Sequence, residues 1–377
     1  MRLSSRIVQV GLCTDERTGA ISTPIYQTAT FRHPGLGRST GYDYTRSQNP
    51  TREVLENAIA TLEGGVNGFA FGSGMAAVTA VLSIYRAGSH FVVGEDCYGG
   101  TYRVLDKVFS NFGFTFSFIN TSCTAEIYKA ITPETKAVIL ETPSNPLMKI
   151  ADIAAIAEIT KKAGIELIVD NTFLTPYLQR PLALGADIVI HSGSKYLAGH
   201  NDLVCGLAVT ANTELSEKVR FVQNSTGSIL SPSDSWLLLR GIKTLALRMD
   251  RHNSNAGAVA VWLDKHPLVE KVYYPGLPGH PSKEVQERQA DGYGGMLSFL
   301  VEDAELVPIV LSKVKLLQFA ESLGGVESLI TYPMAQTHAD VPAEVRDKLG
   351  INDRLLRVSV GVEAVEDIIE DLEQALA

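Results

Sequence analysis

Lys195 is the residue whose type and setting most directly suggest chemistry. It stands in His191-Ser192-Gly193-Ser194-Lys195-Tyr196, straight after the apolar run 188–190. A lysine at a strand end, flanked by glycine and two hydroxyls, is placed differently from a solvated surface lysine. Its amine can condense with an aldehyde, while Ser192 and Ser194 bind the phosphate of the same ligand. An exposed or merely phosphate-binding lysine is the plainer alternative. Asp170, in Val169-Asp170-Asn171-Thr172, follows a second apolar run. That is the edge where open α/β sheets bind ligands. Taken alone, Asp170 also reads as a helix N-cap or a satisfied loop carboxylate.

Phe71-Gly72-Ser73-Gly74-Met75 lies between a strand and a helix. Backbone N–H groups at a helix N-terminus make an anion site, and glycine lets a phosphate approach closely. The spacing Gly72-x-Gly74-x-x-Ala77, with Glu95 after the next strand, also fits a relaxed dinucleotide fingerprint. A tight turn with no ligand fits the loop equally well. The three segments together favour a single cofactor. Ser73, Gly74, Met75, Ser192 and Ser194 would surround a phosphate, Lys195 would meet an aldehyde, and Asp170 a ring nitrogen. Those are the parts of pyridoxal 5′-phosphate (PLP). A carboxylate beside a pyridinium is worth about 1 kcal/mol in water and about 4 kcal/mol at an effective dielectric of about 20. A dehydrogenase would leave Lys195, Ser192 and Ser194 without a role.

An amino-acid substrate adds further requirements. Its carboxylate wants a bidentate arginine, and Arg357 opens the strand-like Arg357-Val358-Ser359-Val360. A structural salt bridge is the alternative. Tyr98, in Cys97-Tyr98-Gly99-Gly100-Thr101, can stack on a pyridine ring or sit in the core. Tyr44 and Arg46 lie in an irregular stretch and can reach a phosphate in a neighbouring subunit, or simply remain solvated. His200 reads as structural.

The elements that must position these residues alternate. Apolar runs at 69–71, 91–93, 114–119, 137–140, 167–169 and 188–190 read as buried strands, separated by helical stretches such as 75–84, 102–112 and 153–163. Residues 203–209 read as a further strand, antiparallel to the rest. Strands buried on both sides predict an α/β fold: a mostly parallel sheet with helices on both faces. Residues 53–63 form an amphipathic helix whose start is marked by Pro50 and Thr51. The expected division is an arm at 1–50, a cofactor-binding α/β domain at 51–245 and a smaller C-terminal α+β domain at 246–377. A long helical stretch at 235–264, weakest at Gly241 and Gly257, would bridge the two domains. Strands at 296–301 and 355–360 and a helix at 365–376 belong to the smaller one.

Composition narrows the class. A chain of 377 residues, 45% hydrophobic, supports two or three domains with sizeable cores. A net charge of −9 argues against nucleic-acid binding, which needs a basic surface. Cys13, Cys97, Cys123 and Cys205 show no metal-ligand spacing and read as free thiols, so no metal is expected. No apolar run approaches the ~18–20 residues of a membrane span. The N-terminus lacks the apolar segment of a signal peptide. A cytoplasmic enzyme acting on small molecules is the expectation.

Motifs along nearly the whole chain resemble the cysteine/methionine-metabolism family of PLP enzymes. They are Tyr42-Asp43-Tyr44-Thr45-Arg46 with Asn49-Pro50-Thr51-Arg52, Ser73-Gly74-Met75-Ala76-Ala77, Tyr98-Gly99-Gly100-Thr101 and Glu141-Thr142-Pro143-Ser144-Asn145-Pro146. Val169-Asp170-Asn171-Thr172, Ser194-Lys195-Tyr196 with Gly199-His200, Ser322-Leu323-Gly324-Gly325 and Arg357-Val358-Ser359-Val360-Gly361 complete the set. That family includes cystathionine γ-synthase, cystathionine γ- and β-lyases, methionine γ-lyase and O-acylhomoserine sulfhydrylases.

The resemblance implies fold type I and a homotetramer built as a dimer of dimers. It implies that Tyr44 and Arg46 bind the phosphate of the adjacent subunit's cofactor, and that Thr172 is a cofactor contact. It gives Asn145 to the cofactor's ring oxygen, Tyr98 to ring stacking and proton handling, and Ser322 with Arg357 to the substrate carboxylate. Glu321 and Asp43 become candidates for the distal ammonium of cystathionine. His200-Asn201-Asp202 is similar to bacterial γ-synthases or sulfhydrylases, whereas Ser47 looks lyase-like. The expected reaction is γ-replacement on an O-acylhomoserine by cysteine or sulfide. Elimination from cystathionine is the near alternative, and a cofactor-free regulator on the same fold is the distant one.

Overall fold

The computed structural model describes residues 1–339 and 341–377. Its larger sheet has seven strands: β1 (Asn67–Phe71), β2 (His90–Gly94), β3 (Thr115–Ile119), β4 (Thr135–Glu141), β5 (Glu166–Asp170), β6 (Ile188–Ser192) and β7 (Gly206–Thr210). Their order is β1-β7-β6-β5-β4-β2-β3. β7 runs antiparallel to both β1 and β6, and the remaining pairs are parallel. Every residue of β2 is buried, so both faces of the sheet are covered at that strand. Alternation along β2 shows the two layers. Phe91 and Val93 join one core with Ala77, Val78 and Val81, while Val92 joins another with Ile153 and Ile156.

The helices before the site are set by local signals. α1 (Leu3–Val8) opens the chain and buries Ile7. α2 (Pro50–Glu63) starts with proline at its first turn, and the Asn49 side chain accepts the N–H groups of Thr51 and Arg52. α3 (Gly74–Leu82) is capped by Ser73, whose hydroxyl accepts the Ala76 N–H at 3.0 Å. α4 (Gly99–Lys107) follows Tyr98.

The smaller sheet holds β8 (Val269–Tyr273), β9 (Met296–Val301), β10 (Gln318–Phe319), β11 (Leu329–Thr331) and β12 (Leu355–Ser359). Its order is β10-β11-β12-β9-β8, antiparallel except for β10 with β11. The helix Leu245–Leu263 serves both units. Leu245, Ala246 and Met249 pack into the core of the larger sheet, while Ala256, Val259 and Leu263 pack into that of the smaller one.

Several expectations shift. The arm contains a helix, α1, because Ile7 has a buried place to go. The 102–112 helix begins earlier, at Gly99, and ends in a 3-10 turn at Phe109–Phe112. The long stretch 235–264 is two helices, Pro232–Ile242 and Leu245–Leu263. The break falls just after Gly241, where a Cβ would lie 2.4 Å from the Ala198 carbonyl oxygen. Glycine is there for close packing, and Gly257 leaves its helix unbroken.

Two histidines in this region predict acid lability. His252 Nδ1 donates to the Val360 carbonyl at 2.7 Å, and His338 Nε2 to the Asn145 carbonyl at 3.1 Å. Burial pushes both imidazoles down to about 4 from an ordinary 6.5. The unfolded chain therefore binds more protons across that window, and stability is lost as pH falls through it. The loss is roughly 3 kcal/mol per histidine. Urea midpoints at pH 6.5 and pH 4 should differ less in His252→Gln than in the parent. An equal drop in both proteins would contradict the assignment.

Candidate active site

A cleft of about 800 Å³ lies where the carboxyl edge of the larger sheet meets the smaller one. Parallel strands bring their ends there. Asp170 ends β5 and Glu141 ends β4, and the two are register partners. Ser192 ends β6, and the N-terminus of α3 stands beside it. A Cβ on Gly74 would sit 3.0 Å from the Ser192 Cβ, so only glycine allows helix and strand end to approach this closely.

Lys195 follows in the next turn. Its Nζ donates to the Ser322 hydroxyl at 2.8 Å. Burial, followed by the positive charge of Arg357, brings its amine down to about 8, with Glu321 opposing. Ser322 reaches the amine from a left-handed backbone at φ 97°, a strained setting for a serine.

Asp170 is held from two sides. Its Oδ1 accepts the Thr172 N–H at 3.0 Å and the Thr172 hydroxyl at 2.5 Å. Thr172 Oγ1 in turn accepts the Ser192 N–H at 2.8 Å. Burial pushes the Asp170 carboxyl up, while Thr172 and the charge of His191 pull it back. Thr172 faces the cleft, but its hydroxyl proton is committed to Asp170. Ser194 is committed too. Its hydroxyl donates to the Cys205 carbonyl at 3.2 Å and accepts the Cys205 N–H at 2.9 Å. In this arrangement Ser194 has a lone pair, and no proton, to turn toward a phosphate. Ser192 is therefore the better-placed hydroxyl.

Arg357 lies in the middle of β12 and is buried. Its Nη1 donates to Asn145 Oδ1 at 2.8 Å, and its Nη2 to the Ser322 carbonyl at 3.1 Å and Thr331 Oγ1 at 3.3 Å. Its Nε has no partner among the described residues. Burial lowers the guanidinium to about 10, with Glu141 opposing. Asn145 thus orients Arg357 as well as facing the cleft. Tyr98 is 43% exposed and lines the cleft, and its backbone N–H donates to Glu141 Oε2 at 3.1 Å. Glu321, Asn201 and Asp202 line the outer cleft.

Sequence reasoning gave Glu141 no role. Burial and the neighbouring Asp170 push its carboxyl well above the usual range. An acidic residue ending an apolar strand next to Asp170 was the available signal. Asp43, Tyr44 and Arg46 lie outside the cleft of their own chain. Asp43 accepts from Ser39 at 3.0 Å, and Arg46 donates to the Asn224 carbonyl at 2.7 Å and packs over the Tyr44 ring.

The donor set fits a phosphorylated pyridine aldehyde. One amine of lowered basicity, a helix N-terminus with an adjacent hydroxyl, and a fixed carboxylate converge on one cleft. Among the described residues no cluster suits a metal ion, and no helix is long and apolar enough to cross a membrane.

Known proteins share this sequence and architecture. The model of the Cys/Met metabolism PLP-dependent enzyme family matches residues 4–377. Cystathionine gamma-lyase of Bacillus subtilis is 53% identical over 376 residues, covering 100% of this chain and 99% of that protein. Cystathionine gamma-synthase of Haemophilus influenzae is 50% identical over 376 residues, covering 100% and 98%. The crystal structure of cystathionine gamma-lyase from Lactobacillus plantarum complexed with L-serine matches with a TM-score of 0.97 at 47% identity, covering 100% and 98%. A mostly parallel central sheet with helices and a smaller second sheet is the fold type I arrangement of these enzymes. Fold, site chemistry and whole-length similarity agree: the chain belongs to the Cys/Met metabolism family of PLP-dependent enzymes, with pyridoxal 5′-phosphate as its cofactor.

Proposed function

We propose that the protein catalyses γ-replacement on an O-acylhomoserine, with cysteine or sulfide as the incoming nucleophile, in the manner of a cystathionine γ-synthase. The observation that carries this reading is the pairing of Lys195 with Ser322 beside Arg357. A weakly basic amine beside a buried guanidinium supports proton transfer at a carbon whose carboxylate Arg357 would anchor. The cleft, about 800 Å³, is toward the upper end of the range for small-ligand sites. It suits a cofactor together with two amino-acid-sized reactants.

Bound PLP supplies an electron sink for negative charge at the substrate Cα. The chain supplies the rest. Arg357 binds the α-carboxylate through its forked guanidinium. Lys195 Nζ takes the proton from Cα. With its basicity lowered to about 8, roughly a tenth of the amine is neutral at pH 7. With that proton handed on to the bound cofactor, the same Nζ would be free to remove a proton at Cβ as the Cγ–O bond breaks and the acyl group departs as a carboxylate. The thiol sulfur adds at Cγ and releases its proton to solvent, Lys195 returns a proton to Cβ, and the same amine then restores the proton at Cα. Asp170 would keep a proton on the ring nitrogen, and Tyr98 would pack over the ring. Ser73, Gly74, Met75, Ser192 and Ser194 would hold the phosphate, and Thr172 fixes Asp170. Asn145 and Ser322 orient Arg357, and Glu321 meets a distal ammonium.

Arg357→Lys should raise KM by about 10-fold or more and change kcat less, because a point charge cannot reproduce the fork. Steady-state kinetics read the split, and an unchanged KM would remove Arg357 from carboxylate binding.

A second reading, elimination from cystathionine, is favoured by the 53% identity to a γ-lyase and by Ser47, which donates to Asn224 Oδ1 at 3.2 Å on the arm. Incubation with O-acetyl- or O-succinylhomoserine plus cysteine, and separately with cystathionine alone, decides between them. Cystathionine formation in the first mixture supports replacement. Rapid oxo-acid release in the second, with none in the first, overturns it.

The proposed assembly is a homotetramer, a dimer of dimers, with an arm at 1–50, a cofactor domain at 51–245 and a C-terminal domain at 246–377. Tyr44, 46% exposed, and Arg46 would serve the neighbour's phosphate, with Asp43 near its substrate. Four free thiols suit a cytoplasmic setting.

A further inference from the structure

Beneath the site, on the face of the sheet away from the cleft, lies a polar cluster that the reaction scheme leaves unused. Ile190 and Ser192 face the cleft, so His191 between them points to the opposite side. Asn171 likewise follows Asp170. Glu63, the last residue of α2, reaches both. Its Oε1 accepts His191 Nε2 at 2.6 Å and Asn171 Nδ2 at 3.1 Å. Asn171 Nδ2 also donates to the Gln179 carbonyl at 2.8 Å, and Gln179 Nε2 returns a bond to Asn171 Oδ1 at 3.1 Å. Glu63 and His191 are 1% and 0% exposed, so their mutual contact has no competition from water. Glu63 Oε2 and His191 Nδ1 have no partner among the described residues. A buried polar cluster that is only partly satisfied costs stability, which calls for a role beyond packing.

We infer that Glu63 and His191 form a positioning pair that fixes Asp170 and Ser192 relative to each other and keeps Asp170 anionic toward a pyridinium nitrogen. The inference rests on the proposed placement of the ring nitrogen on Asp170. Glu63 ties the residue after Asp170 to the residue before Ser192. One carboxylate thereby sets the distance between the groups proposed for the two ends of the cofactor. It also anchors His191, whose charge acts on Asp170 through the sheet. The other charged groups around Asp170 are Glu141 on β4, Lys195 on the turn after β6 and Arg357 on β12. Glu141 is held toward its neutral form, and the two cations lie across the cleft. His191 and, behind it, Glu63 are the ionisable groups on the far face.

The test uses apoenzyme and pyridoxine 5′-phosphate, which keeps ring nitrogen and phosphate but has no aldehyde for Lys195. Glu63→Gln preserves shape and acceptor while removing the charge. Its dissociation constant should rise about 10-fold. The acid limb of the binding–pH profile should move to higher pH, because Asp170 would protonate more readily. In an Asp170→Asn background, Glu63→Gln should have a smaller effect, limited to the spacing of Ser192, since its electrostatic influence passes through Asp170. His191→Gln keeps a donor to Glu63 but carries no charge. It should behave like Glu63→Gln, and it decides the matter if Glu63→Gln does not fold. Unchanged affinity and acid limb in these variants, or losses that simply add to that of Asp170→Asn, would overturn the inference. If Asp170→Asn alone left affinity unchanged, the placement of the ring nitrogen would fail instead.

Discussion

Lys195→Ala is expected to abolish turnover, by about 10³-fold or more, while leaving a folded protein that still takes up PLP without a covalent bond. The size follows from losing the group that both carries the cofactor and moves protons, since a positioned acid–base alone is worth about 10²–10⁴. The stability side is unusual for a buried truncation. Among the described residues the Lys195 amine makes one hydrogen bond, to the Ser322 hydroxyl, and its charge is disfavoured by burial and by Arg357. Removing it relieves that conflict, so the melting temperature of the apoenzyme should hold or rise. Steady-state kinetics and thermal unfolding test the two halves. Activity within about 10-fold of the parent would show that another group performs the proton transfers.

Asp170→Asn should have the next largest effect, about 10²–10³-fold in kcat. The substitution keeps an oxygen for both Thr172 donors and removes only the charge. A carboxylate–pyridinium contact at about 4 Å is worth about 4 kcal/mol at an effective dielectric of about 20, which is about three orders of magnitude in rate. Lys195 is untouched, so the covalent link to the cofactor should still form. A kcat within about threefold of the parent would remove Asp170 from this role. The sign of the pH effect follows from the same residue. Activity falls as pH drops and Asp170 takes up a proton, and burial moves that point upward while Thr172 holds it back.

What the sequence revealed depends on how local each feature is. Asp170 and Ser192 could be read because each ends a short apolar run, and a doubly buried strand must end at a sheet edge. Ser73 and Gly74 were legible for the same reason, as the turn between a strand and a helix. Features made by distant residues were not legible. Glu63 meets His191 across 128 positions, and Arg357 meets Asn145 across 212. No periodicity joins them. Ser194 was read as a phosphate contact from its place in the sequence, and the bonds between its hydroxyl and Cys205, eleven residues on, were not legible there. The break between the helices ending at Ile242 and starting at Leu245 comes from the close approach of Gly241 to Ala198, a tertiary contact. The arm helix was missed because six residues show too little period, and it is the buried place for Ile7 that forms it. Whole-length motifs, by contrast, carried the family, since their order reflects the fold itself.

The most direct test of the account is chemical mapping. The PLP-loaded enzyme is reduced with borohydride, digested, and its peptides sequenced by mass spectrometry. The account predicts one pyridoxyl-modified lysine, in the peptide containing His191-Ser192-Gly193-Ser194-Lys195, on Lys195 itself. Modification of any other lysine, with Lys195 intact, would contradict it.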